Sequence, residues 1–232
     1  FFRKNDSLLH FVKPVFDRRV FLKTCTNGSS ELMTNLSMSL VNALYNLQLM
    51  KIAGENGVAA YGAVMYVNFI FVATFLGYAI GCAPVISYHY GAGNHAELKN
   101  LYKKSMSIIL VWGVILFGAA QLLAPVLSKI FVGYNTGLYA MTLHGFRVYA
   151  IAFLIIGINI FGSSFFTALN NGLISAVISF LRTLMFQVIM VLTLPLWFGI
   201  NGIWSAIGVA EALTLIMTTI FFVRQKDKYH YL

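Results

Sequence analysis

The spacing of the apolar runs constrains this chain more than any other feature. Stretches almost free of charge occur at Leu32–Met50, Val58–Tyr88, Ser105–Ser128, Val148–Leu169, Thr183–Ile200 and Ile203–Val223, and only Glu211 interrupts the last. A helix needs roughly 20 apolar residues to cross the hydrocarbon core of a bilayer, so these runs predict six transmembrane helices. Breakers stand at the junctions: Gly54 and Gly57, Gly91 and Gly93, Gly133 and Gly137, Asn170 to Gly172, and Gly199 to Gly202. With 59% apolar and 10% charged residues and a mean hydropathy of +0.79, the composition excludes a soluble enzyme and leaves little chain for an extramembrane domain.

The net charge of +9 is a topology signal rather than a nucleic-acid footprint, because the basic residues gather in a few polar intervals. Twelve fall on one predicted side: Arg3, Lys4, Lys13, Arg18, Arg19 and Lys23, then Lys99, Lys103 and Lys104, then Arg224, Lys226 and Lys228. The other side has only Lys51 and Lys129 in its loops. Lys and Arg are retained in the cytoplasm, so both termini are expected there. The predicted organisation is a cytoplasmic linker and interfacial segment over 1–24, a six-helix membrane lobe over 25–225 and a cytoplasmic tail over 226–232. Asn94 with Glu97 reads as a capping pair for a short interfacial helix, Leu98, Leu101 and Tyr102 dipping into lipid. The chain opens Phe-Phe-Arg-Lys without a Met, which fits a fragment or processed product.

The first span is the most informative. Asn27, Glu31, Asn35, Ser39, Asn42 and Asn46 recur every three or four residues and fall within a helical sector about 120° wide. Such a stripe is expected to face another helix or a watery cavity, since unsatisfied polar groups in hydrocarbon cost several kcal/mol. A carboxylate at membrane depth costs about 2.5–3.5 kcal/mol on insertion scales, which makes Glu31 a candidate proton or cation site; the plainer alternative is a hydrogen bond to a neighbouring helix. Glu211 lies midway along the last span and reads equally as an ion site or an interhelical contact. Arg147 and Arg182 can snorkel to the interfaces or pair with a carboxylate. Pro84 can kink the second span, and Gly157, Gly162, Ser163 and Ser164 allow close helix approach. Phe69, Phe71, Tyr149 and Phe153 could turn aromatic faces to a cavity.

Other chemistries lack support. Gly91-Ala92-Gly93 has no Lys-Ser or Lys-Thr of a phosphate loop, and no HExxH or GxSxG is present. Cys25 and Cys82 form no metal-like grouping, so no metal or other cofactor is expected.

The run KPVFD (Lys13 to Asp17), then NGSSELMTNLSMS (Asn27 to Ser39), GCAPVISYHYGAGN (Gly81 to Asn94), TALNNG (Thr167 to Gly172) and FGINGIWSA (Phe198 to Ala206), in that order, resembles the carboxy-terminal lobe of the multidrug and toxic compound extrusion (MATE) family. The resemblance implies helices seven to twelve of a twelve-helix, two-lobed secondary antiporter, the amino-terminal six-helix lobe being the missing partner. It implies export of small organic cations or other amphipathic drugs and metabolites, in exchange for protons or sodium ions, from a multi-pass protein in contact with the lipids of the plasma membrane. It matches Glu31 to the family's cation-coupling acid on helix seven. Asn27, Asn35, Ser39, Asn42, Asn159 and Glu211 are then candidates to line the cavity, Asn159 lending a neutral oxygen. One departure is clear: some members add a carboxylate on helix ten to bind sodium, whereas Leu138 to Leu169 contains no Asp or Glu. The alternatives are a lipid-linked oligosaccharide flippase of related fold, and a non-transporting remnant.

Overall fold

In a computed structural model the chain is described over residues 16–232, the side chains of Asn27, Ser30, Glu31, Met33 and Thr34 lying outside the described set together with residues 1–15. The described residues form helices and short turns, without strands. The order is α1 (Arg18–Gly91), α2 (His95–Val132), α3 (Thr136–Ala150), α4 (Phe153–Ala168), α5 (Gly172–Phe180), a π-helical turn (Leu181–Met185), α6 (Phe186–Phe198) and α7 (Ile200–Tyr229).

The first helix is two arms folded back on each other. Gly54 leaves helical geometry at φ 62° and ψ −153°, a conformation essentially reserved for glycine. The rings of Tyr45 and Tyr61 consequently stack with centroids 5.0 Å apart. A straight helix would hold them roughly 24 Å apart. By contrast, α1 continues through Pro84 without leaving helical dihedrals.

Among the described residues, four helices are long and apolar enough to cross a membrane, or five if α3 and α4, bent by 48°, make one span. The first of the four, Asn35–Gly91, is 57 residues long and contains the Gly54 reversal, so a count of six is reached only by taking its arms separately. Large apolar side chains such as Leu122, Ile130, Leu196 and Trp197 are exposed, a surface suited to lipid and not to water. The protein is an all-α, multi-pass membrane protein.

Several boundaries differ from the sequence reading. The segment 18–24 already belongs to α1, its start capped by Asp17, whose Oδ1 accepts from the Arg19 amide at 2.7 Å. The short interfacial helix after Asn94 does not exist as a separate element. Asn94 does cap, accepting from the Glu97 amide at 3.1 Å, but the helix it starts runs 38 residues to Val132, and Leu98 and Tyr102 are buried inside the protein. The fourth span begins earlier than Val148, and the fifth at Gly172 rather than Thr183, because Ser175, Ser179 and Arg182 depress its hydropathy while lying against other helices. The tail packs too: Tyr229 and Tyr231 are buried, and the Tyr231 hydroxyl donates to the Phe222 carbonyl at 2.8 Å.

The core lies where α4 is enclosed by α1, α2, α5 and α7. The close-approach expectation holds there. A Cβ on Gly157 would strike the Phe75 ring, and one on Gly162 would meet Thr218 Cγ2 at 2.6 Å. The Ser163 hydroxyl joins those of Ser175 at 2.9 Å and Ser179 at 2.8 Å, stitching α4 to α5.

Candidate functional site

Glu211 sits on the buried face of α7, whose small residues Ala206, Ala210 and Thr214 admit α4 closely. Its carboxylate is bound on both oxygens. Arg182 Nε donates to Oε1 at 2.9 Å, and Asn159 Nδ2 donates to Oε2 at 2.7 Å. The same Asn159 amide also reaches the Glu211 carbonyl at 3.0 Å, while its own Oδ1 accepts from Thr218 Oγ1 at 3.0 Å. Asn159 and Glu211 are fully buried, and the Arg182 side chain is 15% exposed. Three helices therefore meet at one ion pair that is both paired and hydrogen-bonded, the arrangement that offsets the cost of burying it.

Arg182 stands in the π-helical turn, which widens the helix by one residue where it faces α7. Such turns frequently mark functional positions. The turn lets Ser179 and Thr183 keep their buried side while Arg182 reaches Glu211.

The ion pair forms one wall of a cavity of about 310 Å³. Asn42, Tyr45, Tyr61 and Asn68 from the two arms of α1 contribute its polar lining, with Gln187 from α6. Apolar side chains including Met38, Phe69, Leu76 and Ile207 make the rest. Tyr61 donates to Asn42 Oδ1 at 3.0 Å. The Tyr45 hydroxyl and Asn68 Oδ1 are buried and have no hydrogen-bond partner among the described residues. Arg182 and Glu211 are the charged residues lining this cavity among those described, so its wall carries no net charge.

The sequence-expected residues divide. Asn42 and Glu211 border the cavity; Asn159 lies behind Glu211, fully buried. Asn35 and Ser39 are exposed on this chain and do not border it, since the packed face of this arm is Ser37, Val41, Tyr45 and Leu49, one step round the helix. The side chains of Asn27 and Glu31 fall outside the described residues. Phe69 and Tyr149 line the cavity, whereas Phe71 and Phe153 pack on each other at 5.1 Å. Arg147 is exposed; Arg182 took the pairing alternative. Tyr45, Tyr61 and Asn68 were not singled out from sequence: Tyr45 and Tyr61 read as ordinary aromatics until the Gly54 reversal brings them together. Among the described residues no group of three or more His, Cys, Asp or Glu is placed to hold a metal ion.

The MatE family profile matches residues 32–193. This chain belongs to the MatE family. No curated protein matches it by sequence. Solved structures agree in fold. A MATE crystallised in the bent conformation superposes with a TM-score of 0.87 at 19% identity, over 97% of this chain and 50% of that one. An outward-facing multidrug resistance MATE family transporter of the MOP superfamily gives 0.82 at 20%, over 92% and 48%. A MOP superfamily transporter from Pyrococcus furiosus, described as having a binding pocket of reverse polarity that suggests a different function, gives 0.82 at 20%, over 91% and 48%. This MatE chain thus spans about half the length of the transporters it matches.

Proposed function

We propose that this MatE chain is the carboxy-terminal lobe of a secondary antiporter that exports amphipathic or cationic organic compounds from the cytoplasm across the plasma membrane, with both termini on the cytoplasmic side. The observation that carries the reading is the family match over a lobe that holds a partly polar cavity beside a buried Arg182–Glu211 pair. A second six-helix lobe would supply the facing wall, and alternating exposure of the cleft between lobes would move the cargo. Such a protein transports and catalyses no covalent reaction, and it needs no cofactor beyond its coupling ion.

Glu31 is the proposed coupling residue. It shares a helical face with Asn35 and Asn42, and the latter borders the cavity. An ionised Glu31 would hold a cationic cargo and a protonated one would release it, so the two ligands exclude each other. Protons are the proposed coupling ion. The span 138–169 offers no carboxylate, and the Asn159 side chain is already engaged by Thr218 and Glu211. A lipid-linked oligosaccharide flippase is disfavoured, since such a cavity would need more basic residues than Arg182, the one cation among the described residues that line this one.

The test is Glu31→Gln in the complete transporter, reconstituted in proteoliposomes and assayed for dye extrusion under an imposed proton or sodium gradient. The variant should assemble normally and lose gradient-driven efflux by at least about tenfold. Efflux at the parental rate would reject the assignment of Glu31, and efflux driven equally by sodium alone would reject proton coupling.

A further inference from the structure

The α1–α7 cavity presents an unusual combination. Its wall is charge-balanced, Arg182 against Glu211, yet it holds one orphaned donor-acceptor, the Tyr45 hydroxyl, and one orphaned acceptor, Asn68 Oδ1. Both belong to residues more than nine-tenths buried, Tyr45 at 2% exposure and Asn68 at 8%. Buried polar groups are nearly always satisfied, so two orphans on one cavity point to something that fills it. The Arg182 guanidinium adds donors, because only its Nε is used, on Glu211; its terminal nitrogens hydrogen-bond no described residue.

We propose that this cavity is a binding site for a zwitterionic amphiphile, a molecule with an apolar body and both an anionic and an ammonium group, rather than for a simple organic cation. The anionic end would be received by the free Arg182 nitrogens and the Tyr45 hydroxyl. The ammonium end would be received by Asn68 Oδ1, with the stacked Tyr45 and Tyr61 rings, 5.0 Å apart, offering a π surface. Met38, Phe69 and Leu76 would cover the apolar body. A lone cation fits worse: the carboxylate that could neutralise it, Glu211, has Arg182 on one oxygen and Asn159 on the other, so each cation bound would leave an uncompensated charge. A ligand with no net charge leaves the pair intact and satisfies both orphans. At about 310 Å³ the cavity is at the small end of ligand pockets, room for a body of amino-acid size.

This inference adds a cargo class to the transporter reading and is tested without any ion gradient. Radiolabelled tryptophan and tryptophan methyl ester share one apolar body and, at about pH 6, one protonated amine; only the first carries a carboxylate. Their equilibrium binding to the purified complete transporter in lipid nanodiscs is compared. Tryptophan should bind at least about tenfold more tightly than the ester, as one hydrogen bond to a charged group implies. Tyr45→Phe deletes only an orphaned hydroxyl, so it should leave the melting temperature unchanged, weaken tryptophan about tenfold and leave the ester unaffected. The paired substitution Arg182→Gln with Glu211→Gln keeps hydrogen-bonding shape without charge and should erase the preference. Ester binding as tight as tryptophan, no displaceable binding of either, or a Tyr45→Phe protein that binds tryptophan like the parent would each overturn the proposal. Loss of gradient-driven efflux with the preference intact would count against the antiporter reading alone.

Discussion

Removing Arg182 while keeping Glu211 should be among the most damaging single changes in the described structure, and its cost can be worked from the ion pair. The Glu211 side chain is 1% exposed, with Arg182 on one carboxylate oxygen and Asn159 on the other. Arg182→Ala leaves that carboxylate buried without its counter-ion, and breaking a buried pair from one side costs about 3–5 kcal/mol. The variant should therefore lose about 3–5 kcal/mol of stability.

The assay is reversible unfolding of the complete transporter in bicelles by SDS titration, for the parent, Arg182→Ala, and Arg182→Gln with Glu211→Gln. The double variant keeps hydrogen-bonding groups at both positions and should lie within about 1 kcal/mol of the parent, because exchanging a whole buried pair is far cheaper than breaking it. A deficit below about 1 kcal/mol for Arg182→Ala would refute the reasoning: the Arg182–Glu211 pair would then not hold the helices together in the native protein.

Three further changes test the frame around the site. Gly145→Ala would drive a methyl into the Trp204 indole, whose nearest atom lies 2.5 Å from the added carbon, and should cost about 1–3 kcal/mol in the same titration. Gly54→Ala meets no atom within 4 Å but must hold φ at 62°, so about 1–3 kcal/mol of backbone strain should appear without any steric clash, and ordinary substitutions at the neighbouring Ala53 should not reproduce it. Tyr231→Phe should lose the bond to the Phe222 carbonyl, about 1 kcal/mol. Burial, with Tyr102 and Tyr229 nearby, raises the Tyr231 phenol above its ordinary range, so the parent should lose stability as pH rises past about 10, and the Phe variant should lose less, as read by thermal unfolding across that range.

What the sequence disclosed followed from one-dimensional physics. Apolar run length identifies the spans, and Asn94 three residues before Glu97 identifies a helix start, because both depend on local chain chemistry. The same local view misplaced the fifth span. Ser175, Ser179 and Arg182 look like reasons to delay a membrane helix, and only the partners on α4 and α7 show that they are satisfied within it. Leu98 and Tyr102 were read as lipid-facing for a related reason: a basic amphipathic turn and the buried first turn of a long helix share one pattern, and only the closing of Tyr231 over Tyr102, with ring centroids 5.1 Å apart, distinguishes them.

The site shows the same limit more sharply. Glu211 and Arg182 are 29 residues apart, and Asn159 and Glu211 are 52 apart. No helical periodicity relates such separations, so Glu211 could be read only as an ion site or a contact. The structure makes it both a contact and a cavity wall. That double role has a mechanical consequence for the proposed transporter. Any movement of α7 against α4 must carry Asn159 with it or break the three hydrogen bonds that join Asn159 to Glu211 and Thr218. The α4–α7 seam should therefore move as a rigid unit, and rearrangement should concentrate in the arms of α1, whose Tyr61–Asn42 bond ends on the half-buried Asn42 and whose reversal rests on a single glycine.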